Sequence, residues 1–411
     1  MHAPTPTPVA QGVAAHSRRW RALAILSVAQ FMLILDVTVV AVALPDIGAD
    51  LDLGRASLTW VISAYTLLFG GLMLVGGRAA DLFGSRRIAM TGLAVFTAAS
   101  AVAGLAGTAE VLIAGRVGQG VGAALLSPAS LSLVTTTFHG AERGRALAVW
   151  SSLGGVGAAI GVLLGGALTA GPGWQWVFYL NLPVGLVLLA ALPYAVAPSG
   201  PRGRPRLDVA GALLVTTATT ALIYGLINAG DAGWTAPGTW GPVAVAVALY
   251  AGFGVVEHAV RAPLMDLRIL TRRPVLAGGL LIFVATGVLI AGFFLASFAL
   301  QRLYGYGAMA TGLLFLPIAA ATIVGTRAAG YALPRVGPRP VAAFGLAVAA
   351  TGTAAPVFWS GPAALVGGLT VAAVGLGATF VTAFTTATAQ VDQHDAGITS
   401  GIVNTFHEFG G

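Results

Sequence analysis

The sequence contains no cysteine and no lysine, and it has few charged residues of any kind. The absence of cysteine excludes disulfide bonds and thiol chemistry. Charged residues make up 9% of the 411 residues, whereas a soluble domain usually has about 25%. So few charges cannot cover the surface of a globule in water. With 57% hydrophobic residues and a mean hydropathy of +0.88, most of the chain must be solvated by lipid.

Several chemical motifs are also missing. There is no phosphate-binding Walker loop, no metal-ligand cluster and no hydrolytic triad, which argues against ATP-driven transport, an enzyme, a cofactor or a bound metal. The formal charge of +7 and the pI near 10.4 would suggest a nucleic-acid partner in a soluble protein. No basic run is interleaved with aromatic residues, so nucleic acid is not expected. The charge instead indicates arginine-rich cytoplasmic loops.

Apolar stretches of about 20 residues recur along the whole chain, as bilayer-spanning helices require. Residues 1–20 are polar, proline-rich and then basic, without a convincing cleavage site, so they are expected to form a disordered cytoplasmic tail. A thirteenth apolar stretch begins near Gly397. The pattern predicts an all-α membrane protein with spans near 21–45, 57–77, 87–107, 109–137, 143–170, 174–197, 207–229, 241–260, 274–301, 309–331, 339–359 and 362–391.

The basic residues alternate between the connections of this pattern. Most of the 21 arginines fall in every second connection, starting with Arg18, Arg19 and Arg21 before the first span. Arginine-rich loops stay on the cytoplasmic side of a membrane. The alternation therefore predicts a multi-pass protein of the inner (cytoplasmic) cell membrane with its N-terminus inside.

A short segment occurs twice. "GRAADLFGSRR" from Gly77 and "GYALPRVGPRP" from Gly330 share the first glycine, the alanine two positions on, the second glycine and an arginine after it. Both join one span to the next on the cytoplasmic side. Parallel repeats of this kind describe a secondary transporter built from two six-helix bundles. They predict a first bundle over 21–200, a linker with two extra transmembrane helices over 201–273, and an incomplete second bundle over 274–411.

Four stretches, in order along the chain, carry a family resemblance: "LDVTVVAVALPDI" from Leu35, "GGRAADLFGSRR" from Gly76, "GRVGQGVGAA" from Gly115 and "WQWVFYLNLPVG" from Trp174. They resemble, in turn, the first-helix signature, the loop motif after helix two, the arginine motif of helix four and the opening of helix six in the major facilitator superfamily. With its two extra central helices, the chain is similar to that superfamily's fourteen-helix drug–proton antiporter group. The resemblance implies a major-facilitator fold that exports drugs in exchange for protons.

Two features depart from that group. Its helix-five motif reads Gly-Pro-x-x-Gly-Gly, and here Val162 replaces the proline, between Gly161 and the pair Gly165 and Gly166. The missing proline argues against the hinge role that the family assigns to this motif, although the glycines still permit close helix packing. The chain also stops at "NTFHEFGG", inside what resembles helix thirteen, so it is expected to be truncated at its C-terminus relative to the group.

Asp36 lies about 15 residues into the first span, well inside the bilayer. A carboxylate there must be paired or protonated. One interpretation is a structural aspartate that snorkels to the interface or caps a neighbouring helix. The other is a titrating carboxylate that faces the central cavity and binds a proton or a cationic drug in turn. Asp36→Asn is then expected to preserve the fold but abolish proton-driven efflux, because the amide keeps the hydrogen bonds.

Arg116 and Gln119 stand three residues apart in the fourth span and therefore share a helix face. An arginine in lipid needs a partner, and Asp36 is the nearest candidate counter-charge. The resemblance implies that Arg116 serves proton coupling next to the first helix. The alternative is that Arg116 lies at the cytoplasmic interface.

The loop after the second span contains Asp81 and the pair Arg86 and Arg87. Gly77 and Gly84 are expected to permit a tight turn there, and the arginines to hold the loop inside. Asp81 is expected near a helix N-terminus, and the resemblance implies that it helps to latch the outward-facing state. The alternative is that this loop is a topology signal only.

Together these features predict a secondary transporter that exports a hydrophobic or cationic drug, or a secreted metabolite, by alternating access. Protons and the lipid bilayer are the other expected partners, and a complete chain is expected to act as a monomer. Proton-coupled uptake of a small solute is an alternative with the same fold. A truncated remnant that does not transport is another.

Overall fold

The computed structural model describes residues 8–138, 140–197, 208–260 and 272–388, together with 403, 405–407 and 410. All regular structure in these ranges is helical. The helix Arg273–Phe298 continues into a π-helical turn, Ala299–Leu303. The helices are α1 (Pro8–Asp50), α2 (Arg55–Phe83), α3 (Ser85–Gly104), α4 (Ala109–Thr137), α5 (Gly140–Ala170), α6 (Gln175–Tyr179), α7 (Asn181–Ala195), α8 (Val209–Ala232), α9 (Pro237–Ala259), α10 (Arg273–Phe298), α11 (Ala308–Val336), α12 (Pro338–Phe358) and α13 (Pro362–Thr388).

These helices confirm the predicted all-α membrane protein. In the part of the chain that the structure describes, 10 helices are long and apolar enough to cross a bilayer, or 11 if α2, which bends by 49° between Met73 and Val75, is one span. The thirteenth predicted span is described only at 403, 405–407 and 410, which are helical. The predicted disordered tail needs correction, since α1 begins at Pro8 and residues 8–20 are helical. Proline suits a first helical turn, and the alanines that follow favour a helix.

The structure contains an internal repeat with a constant offset of 253 residues (308 − 55). Helices α11, α12 and α13 begin 253 residues after α2, α3 and α4, and the π-helical turn ends 253 residues after α1. Four helices therefore recur without an insertion or deletion. The aligned glycines Gly84 and Gly337 are the single-residue junctions of α2 with α3 and of α11 with α12, with φ of 92° and 80°. Only glycine adopts such angles readily.

Small residues pack the repeated helices in the same way in both halves. A Cβ on Gly92 of α3 would lie 2.7 Å from the carbonyl oxygen of Gly122 in α4. At the repeated positions, a Cβ on Gly345 of α12 would lie 2.9 Å from the carbonyl oxygen of Gly375 in α13. Backbones approach this closely because glycine has no side chain, which is how helices gain dispersion contacts in lipid.

The extra helices α8 and α9 form a hairpin against the first bundle. The Thr216 hydroxyl of α8 donates to the carbonyl oxygen of Gly71 in α2 at 2.9 Å. Across the hairpin, the hydroxyls of Thr219 and Tyr250 share a hydrogen bond of 2.9 Å. The flanking parts of the predicted linker, 201–207 and 261–271, lie outside the described residues. The hairpin is thus anchored on α2.

The two bundles touch at the end of the molecule where helix α1 ends at Asp50, which we call the Asp50 end. The opposite end, where Gly84 joins α2 to α3, is called the Gly84 end. A Cβ on Gly166 of α5 would lie 2.7 Å from the carbonyl oxygen of Ala308, and one on Gly312 of α11 2.8 Å from that of Val162. Eighteen residues further along α11 (330 − 312), about five helical turns, a Cβ on Gly330 would meet nothing within 4 Å. The close backbone contacts between α5 and α11 that the structure describes therefore lie at the Asp50 end.

Hydrogen bonds between α1 and α10 close the Asp50 end. Pro45 of α1 has no N–H, so the carbonyl oxygen of Ala41 lacks its usual partner within the helix. The Ser297 hydroxyl of α10 donates to that oxygen at 3.2 Å. Two side chains of the π-helical turn donate to neighbouring carbonyl oxygens of α1: Gln301 to Val42 at 3.1 Å and Arg302 to Pro45 at 2.8 Å.

Candidate functional site

The Asp36 carboxylate is fully buried inside the first bundle. Its Oδ2 atom forms an ion pair and hydrogen bond with Nη1 of Arg116. Its Oδ1 atom accepts hydrogen bonds from Nε2 of Gln119 at 2.8 Å and from Nδ2 of Asn181 at 2.9 Å. Both oxygens therefore act only as acceptors, as an ionised carboxylate does.

Arg116 is 1% exposed and has partners on every side. Besides the bond to the Asp36 carboxylate, its Nη1 donates to Oε1 of Gln119 at 2.8 Å, and its Nε donates to the carbonyl oxygen of Val61 at 2.9 Å. The guanidinium lies 4.4 Å from the centre of the Tyr65 ring, within the range of a cation–π interaction. The positive charge is thus held by α1 and α2 as well as by its own helix.

Ser100 of α3 closes the network. Its hydroxyl accepts from Nε2 of Gln119 at 2.9 Å and from Nδ2 of Asn181 at 3.3 Å, and donates to the carbonyl oxygen of Phe96 at 2.8 Å. The resulting network, Asp36, Arg116, Gln119, Asn181 and Ser100, joins α1, α3, α4 and α7. Removing one partner of a buried ion pair leaves an uncompensated charge, which typically destabilises a protein by about 3–5 kcal/mol.

The structure brings the three predicted coupling residues together, contradicts two expectations about Asp36 and excludes the alternative given for Arg116. Asp36 does not face the central cavity, since it is 0% exposed between helices of its own bundle. The face of α1 that meets α10 carries Ala41 and Pro45 instead. Arg116 does not lie at an interface either, because it is buried beside Asp36. The prediction that Asp36→Asn preserves every hydrogen bond is also wrong, since the amide NH₂ would replace an acceptor among donors only.

Sequence reasoning missed Asn181 and Ser100. Asn181 begins α7 within the motif "WQWVFYLNLPVG", and a single amide in an apolar span could have signalled it, because a buried amide needs partners. Ser100 gives no such signal, since serines often donate to the carbonyl oxygen four residues earlier in a helix, as this one does.

We expect Asn181→Leu to weaken the network. Asp36 then loses one of the donors to Oδ1, and such a loss destabilises a fold by about 1–3 kcal/mol. Thermal unfolding of the purified variant in detergent measures the effect. Asn228→Leu is the matched control, because the Asn228 amide donates at 3.3 Å to Thr239 in the α8–α9 hairpin, away from the network. Equal losses of stability and of transport in the two variants would contradict a special role for Asn181.

The residues of the predicted loop are not arranged as expected. Gly77 lies inside α2, and only Gly84 has a positive φ. Asp81 belongs to the last turn of α2 rather than to a helix N-terminus, while Arg86 and Arg87 stand in the first turn of α3. Each of these charges opposes its helix macrodipole. The helix continues past Gly77 because its neighbours in the segment are good helix formers, so only the final glycine is needed for the turn.

The three glycines of the helix-five motif lie at helix contacts. A Cβ on Gly161 would clash with the Thr38 side chain of α1, and one on Gly165 would lie 3.0 Å from the carbonyl oxygen of Val39. Gly166 instead faces α11 of the second bundle. The motif therefore packs α5 against α1 on one side and against the second bundle on the other.

The second bundle has an apolar counterpart of the network. By the constant offset, Leu289, Leu369 and Ala372 correspond to Asp36, Arg116 and Gln119. These three residues line one small cavity together with Val288, Phe293, Ile318, Ala373 and Leu376. The charged network is therefore a feature of the first bundle, and the same fold accommodates aliphatic side chains at the repeated positions.

Residues 26–411 match the family model described as Major Facilitator Superfamily. The chain is 38% identical over 410 residues to the cephamycin export protein CmcT of Amycolatopsis lactamdurans, covering 95% of this chain and 82% of the relative. It is also 38% identical over 410 residues to the puromycin resistance protein pur8 of Streptomyces alboniger (96% and 80%), and 36% identical over 342 residues to the lincomycin resistance protein of Streptomyces lincolnensis (82% and 70%).

One solved structure shows the same fold. The crystal structure of the peptide transporter POT in complex with sulfate superposes with a TM-score of 0.67 and covers 95% of this chain and 86% of that chain. At 16% sequence identity, this similarity concerns the arrangement of the helices alone.

Proposed function

Because the chain belongs to the Major Facilitator Superfamily, we propose that it exports a small drug or secreted metabolite from the cell in exchange for protons. The relatives named for cephamycin export, puromycin resistance and lincomycin resistance support export as the direction. The arginine-rich connections support an orientation in which the N-terminus and the Gly84 end lie on the cytoplasmic side of the inner membrane.

The observation that carries the proton coupling is the sealed pair of Asp36 and Arg116 inside a membrane-spanning bundle. Protonating Asp36 removes the charge that holds Arg116, and a buried arginine without a counter-charge is costly. Helix α1 and helix α4 must then move relative to each other, or water must enter. A proton therefore changes the relative stability of two arrangements of the first bundle, which is what coupling requires.

Helix α1 connects this site to the closed end. Asp36 lies on one face of α1, and the carbonyl oxygens of Ala41, Val42 and Pro45, which accept from α10, lie one to three turns further along. A shift of α1 on protonation would break these hydrogen bonds between the bundles. The Asp50 end would then open and the Gly84 end would close, as alternating access demands.

Purified protein in liposomes tests the function. With an acidic lumen, the molecules whose Gly84 end faces the outside should accumulate puromycin, lincomycin or a cephamycin in the lumen, and a pH dye in the lumen should report proton release on drug addition. A control without a pH gradient should show neither. Equal drug accumulation with and without a pH gradient would refute proton coupling. The absence of accumulation for all three drugs would refute export of these classes.

A further inference from the structure

Two buried acidic side chains lie where the α8–α9 hairpin begins and ends, apart from the pair of Asp36 and Arg116. Asp208 is the N-cap residue of α8, and Glu257 belongs to the last turn of α9. Their exposed fractions are 7% and 5%. Aspartate and glutamate are rarely buried to this extent unless a partner compensates the charge or a proton removes it.

The hairpin holds the two carboxyl groups next to each other. A Cβ on Gly211 of α8 would lie 2.7 Å from Oδ2 of Asp208 and 2.7 Å from Oε1 of Glu257. The two oxygens are therefore separated by at most twice that distance. The register agrees, because Glu257 stands seven residues (257 − 250), about two turns, after Tyr250 and points to the same side of α9. Tyr250 is the residue that shares a hydrogen bond with Thr219 of α8.

The two oxygens of Asp208 have different surroundings. Oδ1 caps α8, since it accepts from the backbone N–H of Gly211 at 2.8 Å. Oδ2 is buried, and no hydrogen-bond donor reaches it among the residues that the structure describes. A buried acceptor without a donor is costly to a fold. Oδ2 lies on the side of the Glu257 carboxyl group, so a donor between the two groups would satisfy it.

The helix macrodipoles assign the negative charge to Asp208. The N-terminus of α8 favours an ionised Asp208, whereas the C-terminus of α9 disfavours a negative charge on Glu257. A protonated Glu257 has an O–H that donates to Oδ2 of Asp208. Two carboxyl groups that share one site retain a proton in this way because their charges repel each other.

A metal ion fits the site less well than a proton. Within the part of the chain that the structure describes, no three histidine, aspartate or glutamate side chains are grouped so that they could hold a metal ion. A metal cation would therefore have the carboxylates of Asp208 and Glu257 as its acidic ligands, whereas hard cations take six or more oxygens. A proton needs only the two oxygens that face each other.

Other charged groups on the neighbouring elements bear on the charge of this pair. Helix α8 packs against α2 through Thr216, and the segments 201–207 and 261–271 adjoin the hairpin outside the described residues. The charged and titratable residues of these elements are Asp231 and the exposed His258 on the hairpin, Arg55, Arg78 and Asp81 on α2, and, nearest in the adjoining segments, Arg206 and Arg261. An arginine that neutralised the pair would leave both carboxyl groups ionised.

We propose that Asp208 and Glu257 bind one proton between them, which Glu257 carries and donates to Oδ2 of Asp208. This is a proton-binding site separate from the pair of Asp36 and Arg116, and it does not depend on the proposed export function. Loss of the proton places two negative charges side by side, so it weakens the contact of α8 with α9 at the point where the hairpin joins its two connections.

Infrared spectroscopy of the purified chain in dodecyl maltoside, a detergent without carbonyl groups, tests this. Exposed carboxyl groups are ionised at neutral pH. The unmodified chain should nevertheless show the carbonyl stretch of a protonated carboxylic acid at neutral pH, shifted in D₂O and lost at alkaline pH. Glu257→Gln and Asp208→Asn should each remove this band. The first variant lacks the proton carrier, and the second lacks the charge that keeps the proton on Glu257.

Both substitutions preserve the shape of the side chain, and asparagine remains a good N-cap, so thermal unfolding should show a folded chain in each case. Asp50→Asn is the matched control, because the exposed Asp50 carboxylate accepts from Nε1 of Trp174 at 2.8 Å at the end of α1. Its replacement should leave the band unchanged.

Three results would overturn the proposal. An unmodified chain without the acid band at neutral pH would mean that both carboxyl groups are ionised, as an arginine from the adjoining segments would make them. Loss of the band in only one of the variants Glu257→Gln and Asp208→Asn would show that the proton is not shared. An equal loss in Asp50→Asn would show that the band does not report this site.

Discussion

A triple variant, Asp36→Leu, Arg116→Leu and Gln119→Ala, should fold nearly as stably as the unmodified chain and fail to couple export to protons. The same three side chains already pack at the repeated positions Leu289, Leu369 and Ala372, so the fold accepts them. Replacing a buried ion pair by apolar residues of similar size is often neutral for stability or better. The variant lacks the carboxylate that we propose to bind the proton, so the proposed movement of α1 has no trigger.

The single variant Asp36→Leu is the comparison that separates stability from function. It leaves Arg116 buried without a counter-charge, so it should unfold with about 3–5 kcal/mol less stability, while the triple variant recovers most of that loss. Thermal unfolding in detergent and proton-driven efflux in liposomes are the two measurements. Coupled export by the triple variant would show that the network is structural, and a triple variant no more stable than Asp36→Leu would contradict the repeat argument.

The second large effect is expected from Gly312→Val. The new side chain would meet the carbonyl oxygen of Val162, since even a Cβ at this position would lie 2.8 Å from that oxygen. Backbone cannot yield as a flexible side chain does, so the bundles can no longer meet at the Asp50 end. Transport should fall by about tenfold or more, equivalent to a shift of at least 1.4 kcal/mol between the two arrangements.

Gly330→Val is the matched control, because it lies on the same side of the same helix and a Cβ there would meet nothing within 4 Å. The chain has no cysteine, so spin labels can be placed at Leu105 and Phe358, exposed counterpart positions of the two bundles at the Asp50 end. Gly312→Val should lengthen the distance between the labels, and Gly330→Val should not. Unchanged distances in both variants would mean that Gly312 does not govern closure.

Much of the fold is predictable from local properties of the sequence. A helix needs about 20 apolar residues to cross a bilayer, so such stretches reveal the spans. The alternation of arginines predicts which connections lie on the cytoplasmic side. The segment around Gly84 and its copy around Gly337 reveal the repeat, because a single-residue junction between two helices leaves glycine as the usual choice. Even the pairing of Asp36 with Arg116 could be inferred, since opposite charges in lipid seek each other.

The composition of the site could not be predicted in this way, because it depends on which face of each helix packs against which neighbour. Asp36 is buried inside its own bundle rather than facing the other bundle, which hydropathy cannot indicate because both environments lie inside an apolar span. Asn181 and Ser100 join the network across helices distant in the chain. Such relations arise from packing between distant segments, so no local pattern of residues carries them.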